Sequence, residues 1–71
     1  MNEKVLKLLG EVLEKNIKLN DSADNVSNWD SLNHLRIILE IENEFDISIE
    51  HEIIPDLNSV KKILDYLNAK L

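Results

Sequence analysis

The sequence predicts an all-α fold. It should be a small four-helix bundle, with three main helices, a short third helix, and a long loop between helices I and II. Three observations lead there. Apolar residues recur at i, i+3, i+4 spacing in separate segments, the period of a helix that buries one face. One glycine and one proline punctuate the chain, so few positions interrupt those segments. The 71 residues contain no cysteine, so a single domain spanning 1–71 must draw its stability from helix packing, without a disulfide or a thiolate metal site.

Taken in order, Val5, Leu8, Leu9, Val12 and Leu13 predict a first helix over about 2–16, with Gly10 lowering its propensity. Residues 18–30 are polar and turn-forming, a loop expected to be pinned by Leu19, Val26 and Trp29. A loop of this length in so small a domain usually has a functional role. The second helix should run from Ser31 to about Phe45. Its apolar set (Leu32, Leu35, Ile37, Ile38, Leu39, Ile41 and Phe45) is wider than one stripe, which predicts a central helix contacted on several sides. Asp46 to Ile49 reads as a short extended link with two inward isoleucines. A short helix over about 50–54 should end at Pro55, since the residue before a proline disfavours helix. Ser59 should then cap a final helix over 60–70, with Val60, Ile63, Leu64 and Leu67 facing the core.

Formal net charge is −6, and its distribution says more than its total. Residues 21–56 hold ten acids and one base, Arg36, whereas both flanking segments are weakly basic. An acidic centre argues against nucleic acid and anionic membranes as partners and would steer basic protein surfaces toward it. No apolar run reaches membrane-spanning length, and Met1-Asn2-Glu3-Lys4 does not open a signal-peptide core, so a cytoplasmic protein is expected.

The segment with chemical potential is Asp30-Ser31-Leu32, where the loop gives way to helix II. A helix N-terminus presents unpaired N–H groups and the positive end of the macrodipole, which suit a phosphodiester carried on a serine. Read alone, the tripeptide favours a plain helix cap. Ser31 and His34 do not make a hydrolase pair, because no orienting acid or oxyanion glycine accompanies them. His34 fits a surface or loop-facing histidine, with a hydrogen bond to a phosphate as the alternative. The acids between Asp21 and Asp30 lack the order of a calcium loop.

Over nearly its whole length the chain resembles the acyl carrier protein family. The matching residues are Asp30-Ser31-Leu32, Glu42-Asn43-Glu44-Phe45-Asp46, Ile47-Ser48-Ile49, Glu50-His51-Glu52, Asn58-Ser59-Val60 and Asp65-Tyr66-Leu67, with no gap needed from Asp30 onward. The resemblance implies that Ser31, flanked by Asp30 and Leu32, is the attachment site for 4'-phosphopantetheine, moved from coenzyme A by a separate phosphopantetheinyl transferase. The thiol of the arm would carry an acyl group as a thioester to acyl-loading and acyl-processing enzymes. The chain itself would be non-catalytic and monomeric. An aminoacyl or peptidyl carrier is the close variant, and an unmodified helical interaction module is the rival.

Some residues depart from the family pattern. Helical spacing places Leu32, Arg36, Leu39 and Asn43 on one edge of helix II, flanked by Asn33 and Glu40. Asn33, Arg36 and Asn43 stand where fatty-acid-synthesis carriers usually have acids, whereas Glu42 keeps its match. Partner contacts are therefore expected from Leu32, Arg36, Leu39, Glu40, Glu42 and Asn43, with Arg36 offering a bidentate donor to a partner carboxylate. Asn28-Trp29 replaces the usual Leu-Gly before the serine. The Trp-Asp-Ser-Leu-x-His string resembles small discrete carriers of dedicated pathways. Trp29 is expected to cover the core beneath the loop.

Overall fold

The computed structural model describes residues 1–71 and contains three α-helices: α1 (Asn2–Leu13), α2 (Ser31–Phe45) and α3 (Val60–Lys70). In place of a fourth helix there is a single 3-10 turn, Ile54–Asp56. All sixteen buried residues are apolar and form one cluster, drawn from the three helices, the long loop and the two links that follow α2.

α1 ends three residues earlier than its periodicity suggested. Glu14 takes the left-handed conformation (φ 55°), and both its own N–H and that of Lys15 return to the Gly10 carbonyl. The returning chain passes so close that a Cβ on Gly10 would lie 3.0 Å from the Lys15 carbonyl oxygen. Gly10 therefore makes room for the turn, which outweighs its low helix propensity.

α1 is the element that packs against both other helices, a role the sequence suggested for α2. Only Ile37, Ile38 and Ile41 of α2 are buried. Leu32, Leu35 and Leu39 are 67, 49 and 55% exposed, so the expectation of a helix contacted on several sides is corrected: one flank of α2 is left largely uncovered. α2 ends at Asp46, also left-handed (φ 55°), with Ile47 N–H donating to the Glu42 carbonyl.

The expected helix over 50–54 is a pair of tight turns that run on to Asp56. Ile53, Ile54, Asp56 and Leu57 each donate to the carbonyl three residues back. Pro55 falls in the first turn of the 3-10 segment, where a missing N–H costs little, so it begins this element and does not end an earlier one.

The long loop is held at both sides. Asn28 Nδ2 donates to the Leu13 carbonyl at 2.7 Å, covering an open acceptor at the end of α1. Ala23 N–H reaches the Asn58 carbonyl (2.9 Å) and Val60 N–H the Asp21 carbonyl (3.0 Å), an isolated two-residue pairing that fixes the loop to the start of α3. Asp21 also accepts from the Asn25 amide and Lys18 N–H, and these bonds hold its carboxyl below the ordinary carboxylate range. Val26 and Trp29 pin the loop to the core as expected. Leu19 does not, being half exposed; Ile17 is buried in its place.

Candidate functional site

Asp30 is the N-cap of α2. Its backbone is extended, its Oδ1 accepts from Asn33 N–H at 2.9 Å, and its carbonyl accepts from His34 N–H at 2.7 Å. Asp30 thus does the capping, and the hydroxyl of Ser31, the first helical residue, is exposed and makes no hydrogen bond within the protein. The N–H groups of Ser31 and Leu32 likewise have no acceptor in the chain. A serine hydroxyl beside two free N–H donors at the positive end of a fifteen-residue helix is matched to a phosphate ester.

Behind Ser31, three elements meet at His34. Trp29 Nε1–H donates to His34 Nδ1 at 3.0 Å, and the other ring nitrogen lies 2.7 Å from the Ile54 carbonyl, to which it donates as Nε2–H. The two rings stack with centroids 6.3 Å apart. Both nitrogens of the neutral ring are therefore engaged, which makes His34 a bridge from loop to 3-10 turn and removes it as a free partner for a phosphate. Trp29 is 5% exposed and covers the core. Nothing in the sequence pointed to Ile54 as the third member of this bridge.

Next to the serine lies an open recess of about 550 Å³, bordered by Ser31, Trp29, Leu35, Ile54 and Pro55. On the other side of α2, Leu32, Arg36, Leu39, Glu40 and Asn43 are all exposed, and Arg36 lies only 3.5 Å from Asn33 Oδ1. Leu39, Arg36 and Glu40 share a shallow groove with Glu11 of α1 and Glu14, the residue that follows it. Glu42 stands apart from this set. It is half-buried, and its Oε2 accepts from Ile49 N–H at 2.8 Å, so it holds the link after α2.

In the sequence Glu50 stands out only within the matching string Glu50-His51-Glu52. Its Oε1 accepts from Lys70 Nζ (2.8 Å) and Tyr66 Oη (2.9 Å), clamping the segment after α2 to the end of α3. The Lys70 ammonium, then the Tyr66 hydroxyl, hold the Glu50 carboxyl below its ordinary range. No helix is long and apolar enough to cross a membrane.

Proteins similar in sequence carry a common name. The chain is 37% identical to an acyl carrier protein of Buchnera aphidicola subsp. Schizaphis graminum over 75 residues, covering 99% of this chain and 92% of that one. An acyl carrier protein of Buchnera aphidicola subsp. Acyrthosiphon pisum is 32% identical over 99% of the chain. One of Chlorobium phaeobacteroides is 39% identical over 41 residues, 58% of the chain. No protein-family model matches. With Ser31 at the mouth of a helix capped by Asp30, on a three-helix scaffold, and with two of these relatives matched over nine-tenths or more of both chains, the chain belongs to the acyl carrier protein family.

Proposed function

We infer that the chain is a non-catalytic carrier modified at Ser31 with 4'-phosphopantetheine. The observation that carries this reading is the division of labour at the mouth of α2. Asp30 takes the cap, which leaves the Ser31 hydroxyl exposed beside two unpaired N–H groups. The arm, when bound, supplies a thiol that holds an acyl group as a thioester. The rest is the work of the protein. The N–H groups of Ser31 and Leu32 would receive the phosphodiester oxygens, and the helix dipole would favour their charge. Tethering cargo at one point replaces repeated encounters with a local search at high effective concentration.

The exposed side chains of Leu32, Leu39, Arg36, Glu40 and Asn43 would meet partner enzymes. A single cation among them, where an acid-rich edge is usual, supports service to a dedicated biosynthetic pathway whose enzymes present a carboxylate to Arg36. Glu42, bound to Ile49 N–H, serves the fold and contributes less to that surface.

The test is intact mass after incubation with coenzyme A, magnesium and a broad-specificity phosphopantetheinyl transferase. The expected result is a gain of one phosphopantetheine, absent in Ser31→Ala. A folded, unmodified wild-type chain beside an active transferase would overturn the reading in favour of an unmodified interaction module.

A further inference from the structure

Asn33 flanks the edge of α2 expected to meet partners, yet its side chain turns back to the loop. Its Nδ2 donates to the carbonyl of Asn28, five residues earlier, at 2.8 Å. Trp29 and His34, the next residues along, repeat that spacing through the 3.0 Å bond between their rings. Between these ties lies the cap, where Asp30 Oδ1 accepts from Asn33 N–H at 2.9 Å and the Asp30 carbonyl from His34 N–H at 2.7 Å. Four hydrogen bonds thus join residues 28–30 to residues 33 and 34. Ser31 and Leu32 form the crest of this arch, and neither spends an N–H or hydroxyl on it.

The arch is moored outward as well. Asn28 Nδ2 holds the Leu13 carbonyl at the end of α1, and the His34 ring holds the Ile54 carbonyl of the 3-10 segment, each at 2.7 Å. First turns of helices fray when nothing holds them. This one is tied to the elements on both sides.

An amide at position 33 is not the residue that helix-end electrostatics favour. The positive end of the dipole prefers an acid in the first turn, and a Glu or Gln at this third position commonly accepts from the N–H of the cap residue. α2 has no acid in its first turn. A carboxylate at 33 would have no proton to give the Asn28 carbonyl and would set two acceptors face to face. The chain forgoes a favourable charge there and keeps a donor.

We propose that Asn33 is a positioning residue for the loading of Ser31. By fastening the loop to the first turn of α2, it fixes the direction of the Ser31 hydroxyl and takes no part in docking. This inference rests on modification at Ser31. In that step Ser31 Oγ attacks the pantetheine-linked phosphorus of the coenzyme A diphosphate. The P–O bond to adenosine 3',5'-bisphosphate breaks, that group leaves with the bonding electron pair, and the serine proton passes to a base of the transferase. Attack in line needs the oxygen held opposite the leaving group, so a small misalignment slows the step without weakening the encounter.

The test is single-turnover loading of the chain over a series of transferase concentrations, followed by intact mass. It separates the maximal rate from the half-saturating concentration. All variants are assayed at a temperature where circular dichroism shows full folding. Asn33→Leu, close in volume but without a donor, should lower the maximal rate by roughly tenfold and leave the half-saturating concentration within about twofold of wild type. Asn33→Asp, isosteric and also without a donor, should lower the maximal rate as much, and carries the test if the leucine variant does not fold. Asn33→Gln, which keeps the amide, should recover part of the rate. A raised half-saturating concentration at an unchanged maximal rate would make Asn33 a docking residue. Wild-type values of both, with only a lower melting temperature, would make its bond purely structural. Either overturns the proposal while leaving the carrier reading intact. A wild-type chain that gains no mass would instead overturn the carrier reading, and the proposal with it.

Discussion

Glu42, in the last turn of α2, accepts the backbone N–H of Ile49, seven residues on, at 2.8 Å. A half-buried carboxylate thereby sets the direction in which the chain leaves the helix, and places Ile49 in the core at 6% exposure. Glu42→Ala should lower stability to urea by about 1.5–3 kcal/mol, as expected for a lost hydrogen bond to a charged acceptor. Glu40→Ala, at an exposed site without such a bond, should change stability little. Equal effects of the two would remove the structural role assigned to Glu42.

Two helix ends place a side-chain-bearing residue at positive φ, Glu14 and Asp46. Aspartate tolerates this region better than glutamate. Glu14→Gly should therefore stabilise by up to about 1 kcal/mol, and Asp46→Gly by less. Gly10→Ala should fail to deliver the roughly 1 kcal/mol that helix propensity alone promises, because its Cβ would press on the Lys15 carbonyl. Thermal melts of the three variants give the order.

Removing the His34 ring should wet the only tryptophan. His34→Ala would leave the Trp29 N–H without its acceptor and cost about 1–3 kcal/mol. The emission maximum of Trp29 should move to the red. His34→Gln, which can both accept and donate, should recover part of both effects. A variant as stable as the wild type, with unshifted emission, would show that the bridge contributes nothing in solution.

The Glu50 clamp predicts a pH dependence with a definite sign. The folded carboxyl holds its proton less tightly than the unfolded one, mainly because of Lys70 and then Tyr66. Its contribution is complete above the ordinary glutamate value of about 4.3 and is lost as pH falls through the lower folded value. Lys70, raised mainly by Glu50, contributes fully below its ordinary value and loses that contribution in strong alkali. Glu50→Gln should flatten the fall in urea midpoint between pH 5 and pH 2 relative to wild type. An unchanged acid limb would mean that the clamp is open in solution.

The helices read well from the sequence because their signals are local. α2 begins at Ser31 and ends at Phe45, and Ser59 caps α3 through the Lys62 N–H, as spacing and capping residues implied. The errors share a different character. α1 stops early because its chain folds back against Gly10, and the turn after α2 runs through Pro55 because successive tight turns can absorb a residue without an N–H. At the site, Ser31 and its neighbours were legible as a motif. The sequence left open whether serine or aspartate was the cap, and held no sign that Glu42 would bind the Ile49 N–H.

Local residue order thus set the helical class, the extents of α2 and α3, the acidic centre, and the place of Ser31 at a helix mouth. All of these follow from the order of residues within a few turns of chain. Tertiary structure decided which flank of α2 stays bare, where the recess beside Ser31 lies, and that His34 ties Trp29 to Ile54 twenty residues further on. Helical periodicity states which side chains share a face. Which face is covered depends on where the loop and the final turn come to rest, and distant contacts set that.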